Sequence, residues 1–135
     1  MTTHLFFYGT LIPQFAPPHL RETLAGCKLV GEAWMRGTLY NLGNFPGAVL
    51  DDASPDKIFG RVYSAPDDDQ LLAALDLYEG YDPASPATSQ YLRQRREAVL
   101  AGGEKLACWV YHYNGNIAGV PFVPGGRWKG TAGPS

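Results

Sequence analysis

The chain is poor in cysteine, poor in charge and free of any long apolar run. Its two cysteines, Cys27 and Cys108, lie far apart and match no zinc-ligand or redox spacing. Cys108 sits in an apolar run and reads as a small core residue. Charged residues make up 18% of the chain, the formal net charge is −2, and no block of five like charges occurs. That excludes the electrostatic footprint of a nucleic-acid or anionic-membrane binder. The densest basic stretch, Arg93-Gln94-Arg95-Arg96, is followed by Glu97 and reads as a solvated strand face. The first residues carry no basic region, and the apolar run 5–8 meets Gly9 at once, so neither a signal peptide nor a membrane span is expected. The expected compartment is the cytoplasm.

Several chemistries are missing as well. There is no Gly-x-Ser-x-Gly elbow and no Gly-rich phosphate loop. His4, His19 and His112 show no metal-ligand spacing among themselves or with cysteine. Cys108 and His112 would lie about 13 Å apart along one strand, too far for a thiol–imidazole pair. An enzyme built from this chain has to run on a carboxylate, with no metal or cofactor expected.

What is present is apolar material for one core: 45% of the 135 residues are hydrophobic. Strands are expected over 5–8, 58–64, 91–100 and 106–113, the last two joined as a hairpin through Ala101-Gly102-Gly103-Glu104. Weaker strand signals cover 28–35, 37–41 and 48–50. One helix is well marked, with Pro66 at its first position, Asp67-Asp68-Asp69 at the positive end of its dipole and Gly80 at its stop. A second, shorter helix is indicated over 18–24, and 83–89 reads as a Pro- and Ser-rich loop. These elements add up to a single α+β domain over 1–135, dominated by strands.

Helical geometry then singles out one residue. With Leu71 as the reference direction, Leu75, Leu72 and Tyr78 fall at about 40°, 100° and −20°, forming one apolar stripe. Glu79 falls at about 80°, inside that stripe, and Asp76 at about 140°, on its margin. A carboxylate among leucines loses water, which raises its pKa towards the range a general acid/base needs. The competing reading is a last-turn residue that twists out to solvent. Asp76 reads as a solvated flank or a structural hydrogen-bond acceptor. Tyr8-Gly9-Thr10-Leu11, directly after a short apolar strand, is either a plain turn or a nest of backbone N–H groups able to hold an anion.

Taken together, the motifs are familiar. Phe7-Tyr8-Gly9-Thr10-Leu11 resembles the N-terminal signature of the γ-glutamylcyclotransferase-like superfamily, and Leu75-Asp76-Leu77-Tyr78-Glu79-Gly80-Tyr81 resembles its Leu-Asp-x-x-Glu-Gly segment. Gly37-Thr38-Leu39-Tyr40 and Asn44-Phe45-Pro46-Gly47-Ala48 lie between these two, and Tyr91-Leu92-Arg93, Ala107-Cys108-Trp109-Val110-Tyr111 and Gly126-Arg127-Trp128 come after them, all in family-like order. The last is similar to the small bacterial and γ-glutamylamine-type members. The resemblance implies a small mixed β-barrel with a few packed helices. It implies Glu79 as the catalytic residue and a small γ-glutamyl substrate, bound against Tyr8, Gly9, Thr10 and Leu11, with Tyr40, Tyr81 and Trp128 as pocket walls or ordinary core. It also implies release of 5-oxoproline, in a monomer or weak homodimer with no nucleic-acid or membrane partner. The alternative is a non-catalytic module holding an amino-acid-like ligand in the same pocket.

Overall fold

The structure, a computed structural model, describes residues 2–9, 18–43, 45–66 and 69–128. Among these described residues, six strands and two α-helices run in the order β1 (Thr2–Phe7), α1 (Pro18–Leu24), β2 (Lys28–Asn41), β3 (Pro46–Leu50), β4 (Lys57–Pro66), α2 (Asp69–Glu79), β5 (Tyr91–Leu100) and β6 (Lys105–Tyr113). The sheet order is β1-β4-β2-β3-β6-β5, and a parallel contact between β1 and β6, Leu5 opposite Trp109, closes the ring. β3 meets β6 in parallel at Ala48 and His112, while the remaining pairings are antiparallel. The result is the expected small mixed barrel, with β5 lying along β6 and touching β2 at its end.

Alternation along the strands divides the apolar residues into two cores. Phe6, Tyr8, Ile58, Val62, Cys108 and Val110 belong to one cluster together with Leu39 and Ala48. Leu5, Phe7, Tyr63, Ala65, Tyr91 and Tyr111 belong to the other, which also receives Leu20 and Leu24 of α1 and Leu71 and Leu75 of α2. Strand β1 is buried on both faces at its C-terminal end, which is why it reads as a continuous apolar run and not as an alternation.

Two local expectations are corrected and a third is refined. The segments 28–35 and 37–41 form one strand, because Gly37 at φ 153° carries β2 past a point where a Cβ would meet the Val49 carbonyl. Pro66 ends β4 and does not open α2, which begins at Asp69. The loop 83–89 contains a short 3₁₀ turn, Pro86–Thr88, pinned by Ser89. Among the described residues no helix is long and apolar enough to cross a membrane.

Candidate active site

Helix α2 ends as its sequence dictates. Gly80 adopts φ 73°. The Tyr81 N–H then bonds the Asp76 carbonyl at 2.8 Å, and the Gly80 N–H bonds that of Leu77 at 3.3 Å. This paired closure satisfies the last carbonyls and holds Glu79 at the helix end without fraying. The chain is clamped further by the Gln90 N–H on the Gly80 carbonyl, just before β5 begins.

Held in this way, Glu79 is 1% exposed, while Leu77, two residues earlier, is 84% exposed. The apolar-stripe reading is therefore the right one, and the carboxylate does not turn out to water. Two effects act against its charge: loss of hydration, and the negative end of the helix dipole. Among the described residues its Oε2 is enclosed and accepts no hydrogen bond.

Tyrosines surround it. Burial pushes the Tyr8 hydroxyl well above its ordinary range, with Tyr91 and then Glu79 adding to the effect. Tyr91, Tyr111 and Tyr78 are raised in the same direction, each first by burial and each with a further contribution from the Glu79 charge. These hydroxyls stay protonated, and three of the protons are committed. Tyr8 donates to the Tyr111 carbonyl at 2.6 Å, Tyr91 to the Pro46 carbonyl at 2.8 Å, and Tyr111 to Asp76 Oδ1 at 2.7 Å.

Asp76, one turn before Glu79, is 6% exposed. It is the structural acceptor that the sequence allowed, not a solvated flank. Besides the Tyr111 hydroxyl it takes two bonds from Arg93, Nε to Oδ1 at 2.8 Å and Nη2 to Oδ2 at 3.3 Å. The Arg93 guanidinium lies over Trp109, 4.5 Å from the ring centroid, and near Tyr81 at 5.9 Å. Arg93 is thereby removed from the solvated basic face expected for 93–96: its side chain is 17% exposed and ion-paired. The reason is strand register. Arg93 lies opposite Tyr111, on a face covered by α2.

The residues singled out from sequence are distributed unevenly. Tyr8 lies beside Glu79, and Gly9 follows it, half-buried. Thr10 and Leu11 lie outside the described residues. Tyr81 packs on the helix-side core that also holds Tyr91 and Tyr111. Tyr40 is half-buried on β2, where it bridges Phe122. Trp128 packs against the other cluster, next to the barrel interior. Sequence reasoning did not single out Tyr91, Tyr111 or Arg93 for the site. One signal was available: Tyr91 and Arg93 alternate on one strand face, and an arginine beside a buried tyrosine calls for a buried anion. Among the described residues no group of three His, Cys, Asp or Glu side chains could hold a metal ion.

Comparison with known proteins identifies the family and the fold. The model of the family described as gamma-glutamyl cyclotransferase, AIG2-like, matches residues 5–130. No individually curated protein sequence matches at a significant level. Among solved structures, YkqA from Bacillus subtilis is 26% identical with a TM-score of 0.68, over 95% of this chain and 40% of its own. The chain thus spans well under half the length of that relative. An AIG2-like protein from Mus musculus is 20% identical with a TM-score of 0.70, over 95% of this chain and 88% of its own. YtfP from Escherichia coli is 24% identical with a TM-score of 0.64, over 93% and 96%. With the family model covering nearly the whole chain, and the same fold in these neighbours, the protein belongs to the gamma-glutamyl cyclotransferase, AIG2-like family.

Proposed function

We propose that the protein is a cyclotransferase that releases 5-oxoproline from a γ-glutamyl amide or amine, with Glu79 as general acid/base. The observation that carries this reading is the burial of Glu79: a carboxylate 1% exposed at a capped helix end, ringed by protonated tyrosines. Such a group has no evident use as a surface charge, and its desolvation favours reversible protonation near neutral pH.

The steps balance without a cofactor. Glu79 takes a proton from the substrate's α-ammonium group. The freed amine attacks the γ-carbonyl carbon of the same molecule and forms the new C–N bond of the five-membered ring. The C–N bond to the leaving amine then breaks: that amine takes up the proton held by Glu79 together with the second proton shed by the ring nitrogen, departs as an ammonium, and leaves Glu79 ionised and the lactam neutral. The α-carboxylate is assigned to backbone N–H groups of the turn at Gly9, Thr10 and Leu11, of which Gly9 is among the described residues. Tyr8 and Tyr81 are assigned to the pocket beside Glu79, and Tyr40 and Trp128 to its outer walls.

General acid–base help contributes roughly 10²–10⁴-fold. Folding the substrate for ring closure corresponds to effective molarities on the order of 10⁵ M or more. The test is 5-oxoproline release from γ-glutamyl-alanine, γ-glutamyl-ε-lysine, γ-glutamyl polyamines and glutathione, by wild type and by Glu79→Gln. Turnover by wild type, lowered at least about 10²-fold in Glu79→Gln, is expected. Equal turnover by both would remove Glu79 from the mechanism. Ligand binding without any turnover would move the protein to the binding-module class.

A further inference from the structure

We propose that the Asp76–Arg93 pair tunes how readily Glu79 takes up and gives up its proton, making both positioning residues for the proposed reaction; the inference rests on Glu79 being the general acid/base. Three observations support it. Asp76 and Glu79 lie three residues apart on α2, so their Cβ atoms are about 5–6 Å apart. Both are buried, at 6% and 1% exposure, so little water screens them from each other. The Tyr111 hydroxyl, bonded to Asp76, also lies within the field of Glu79 and of Arg93, so the three charges converge on one point between helix and barrel.

Several groups among the described residues lie close to Glu79. From β1 comes Tyr8, from β5 Tyr91, from β6 Tyr111, and from α2 itself Tyr78 and Asp76, with Arg93 of β5 reaching the site through its bonds to Asp76. The tyrosines are neutral across the working range, because burial raises every one of them. Among the charged groups near Glu79 are Asp76 and, bound to it, Arg93, whose effects oppose each other. Asp76 alone would repel a second carboxylate and hold Glu79 protonated. Arg93 alone would attract it and hold Glu79 ionised. Locked together at 2.8 and 3.3 Å, they nearly cancel and leave Glu79 able to change state.

This arrangement predicts opposite effects from breaking the pair on either side. Asp76→Asn keeps the shape and leaves the cation, so Glu79 should titrate at lower pH. Arg93→Gln leaves the buried anion, so Glu79 should titrate at higher pH. At an effective dielectric of about 20, each shift should be on the order of one to two pH units. The double variant should return to within about half a unit of wild type, because both charges are gone.

The measurement is carboxyl ¹³C NMR titration of glutamate-labelled protein, with the Glu79 resonance assigned by its loss in Glu79→Gln. Alongside it run the pH profile of 5-oxoproline release and a circular-dichroism check of folding. Opposite shifts in the two single variants, cancelled in the double, support the proposal. Shifts of the same sign, or shifts below about 0.3 unit in folded variants, overturn it. Arg93→Gln strands a buried charge and is the variant most at risk of unfolding. Asp76→Asn and the double variant then decide alone: no downward shift in the first, or no return in the second, is refutation. The NMR titration needs no turnover, so an inactive wild type would refute the proposed reaction without touching this result.

Discussion

The hydroxyl of Tyr111 is one polar joint between α2 and the barrel, and its removal has a calculable cost. Tyr111→Phe keeps the ring and its packing in the helix-side core and deletes one oxygen. That oxygen donates a 2.7 Å bond to Asp76 Oδ1, a buried acceptor that is also ion-paired with Arg93. Hydrogen bonds to charged groups contribute about 1.5–3 kcal/mol. Asp76 keeps both bonds from Arg93, so the carboxylate is not orphaned and the loss should fall near about 2 kcal/mol. For a domain of this length that corresponds to a melting temperature lower by roughly 6–10 °C. Urea unfolding followed by circular dichroism, with the m-value checked for constancy, measures it directly. Placing the same change in an Asp76→Ala background should lower its cost by at least about 1 kcal/mol, since the partner is already gone. A loss under about 0.5 kcal/mol in the otherwise wild-type chain, at unchanged m-value, would show that the bond contributes no net stability.

Two further outcomes concern residues away from Glu79. The Leu50 N–H donates to His112 Nδ1 at 3.0 Å, and burial followed by the Arg96 charge lowers the imidazole's pKa. The unfolded chain therefore binds the proton first, near pH 6.5, so this contribution is complete above that value and declines as pH falls through the window below it. His112→Asn, which keeps an acceptor but does not titrate, should flatten the fall in urea midpoint between about pH 7 and about pH 5; an unchanged slope would contradict this. Burial pushes the Cys108 thiol up to about 12, whereas the half-buried Cys27 is raised less far. Iodoacetamide at about pH 8 should label Cys27 well ahead of Cys108 in the folded protein and both in urea, as read by peptide mass spectrometry; early labelling of Cys108 would place it outside the core.

Sequence by itself determined the features that depend on local periodicity and turn chemistry. The alternation in 91–100 and 106–113 produced the hairpin where it was expected, and Gly80 stops α2 because it alone there accepts φ 73°. Glu79 could be picked out because 3.6-residue periodicity places it among leucines whatever the helix packs against. Tertiary structure decided the rest, because it depends on pairings between residues distant along the chain. Strand β2 runs through Gly37 only because β3 lies close beside it there. Arg93 leaves the solvated face only because β5 meets β6 in a register that sets it opposite Tyr111 and below Asp76. The tyrosine ring around Glu79 is assembled from β1, β5, β6 and α2, and no pattern within any one of those segments specifies how the four converge. A burial stripe is a property of one helix; the arginine that pairs with Asp76 beside it arrives only in the closed barrel.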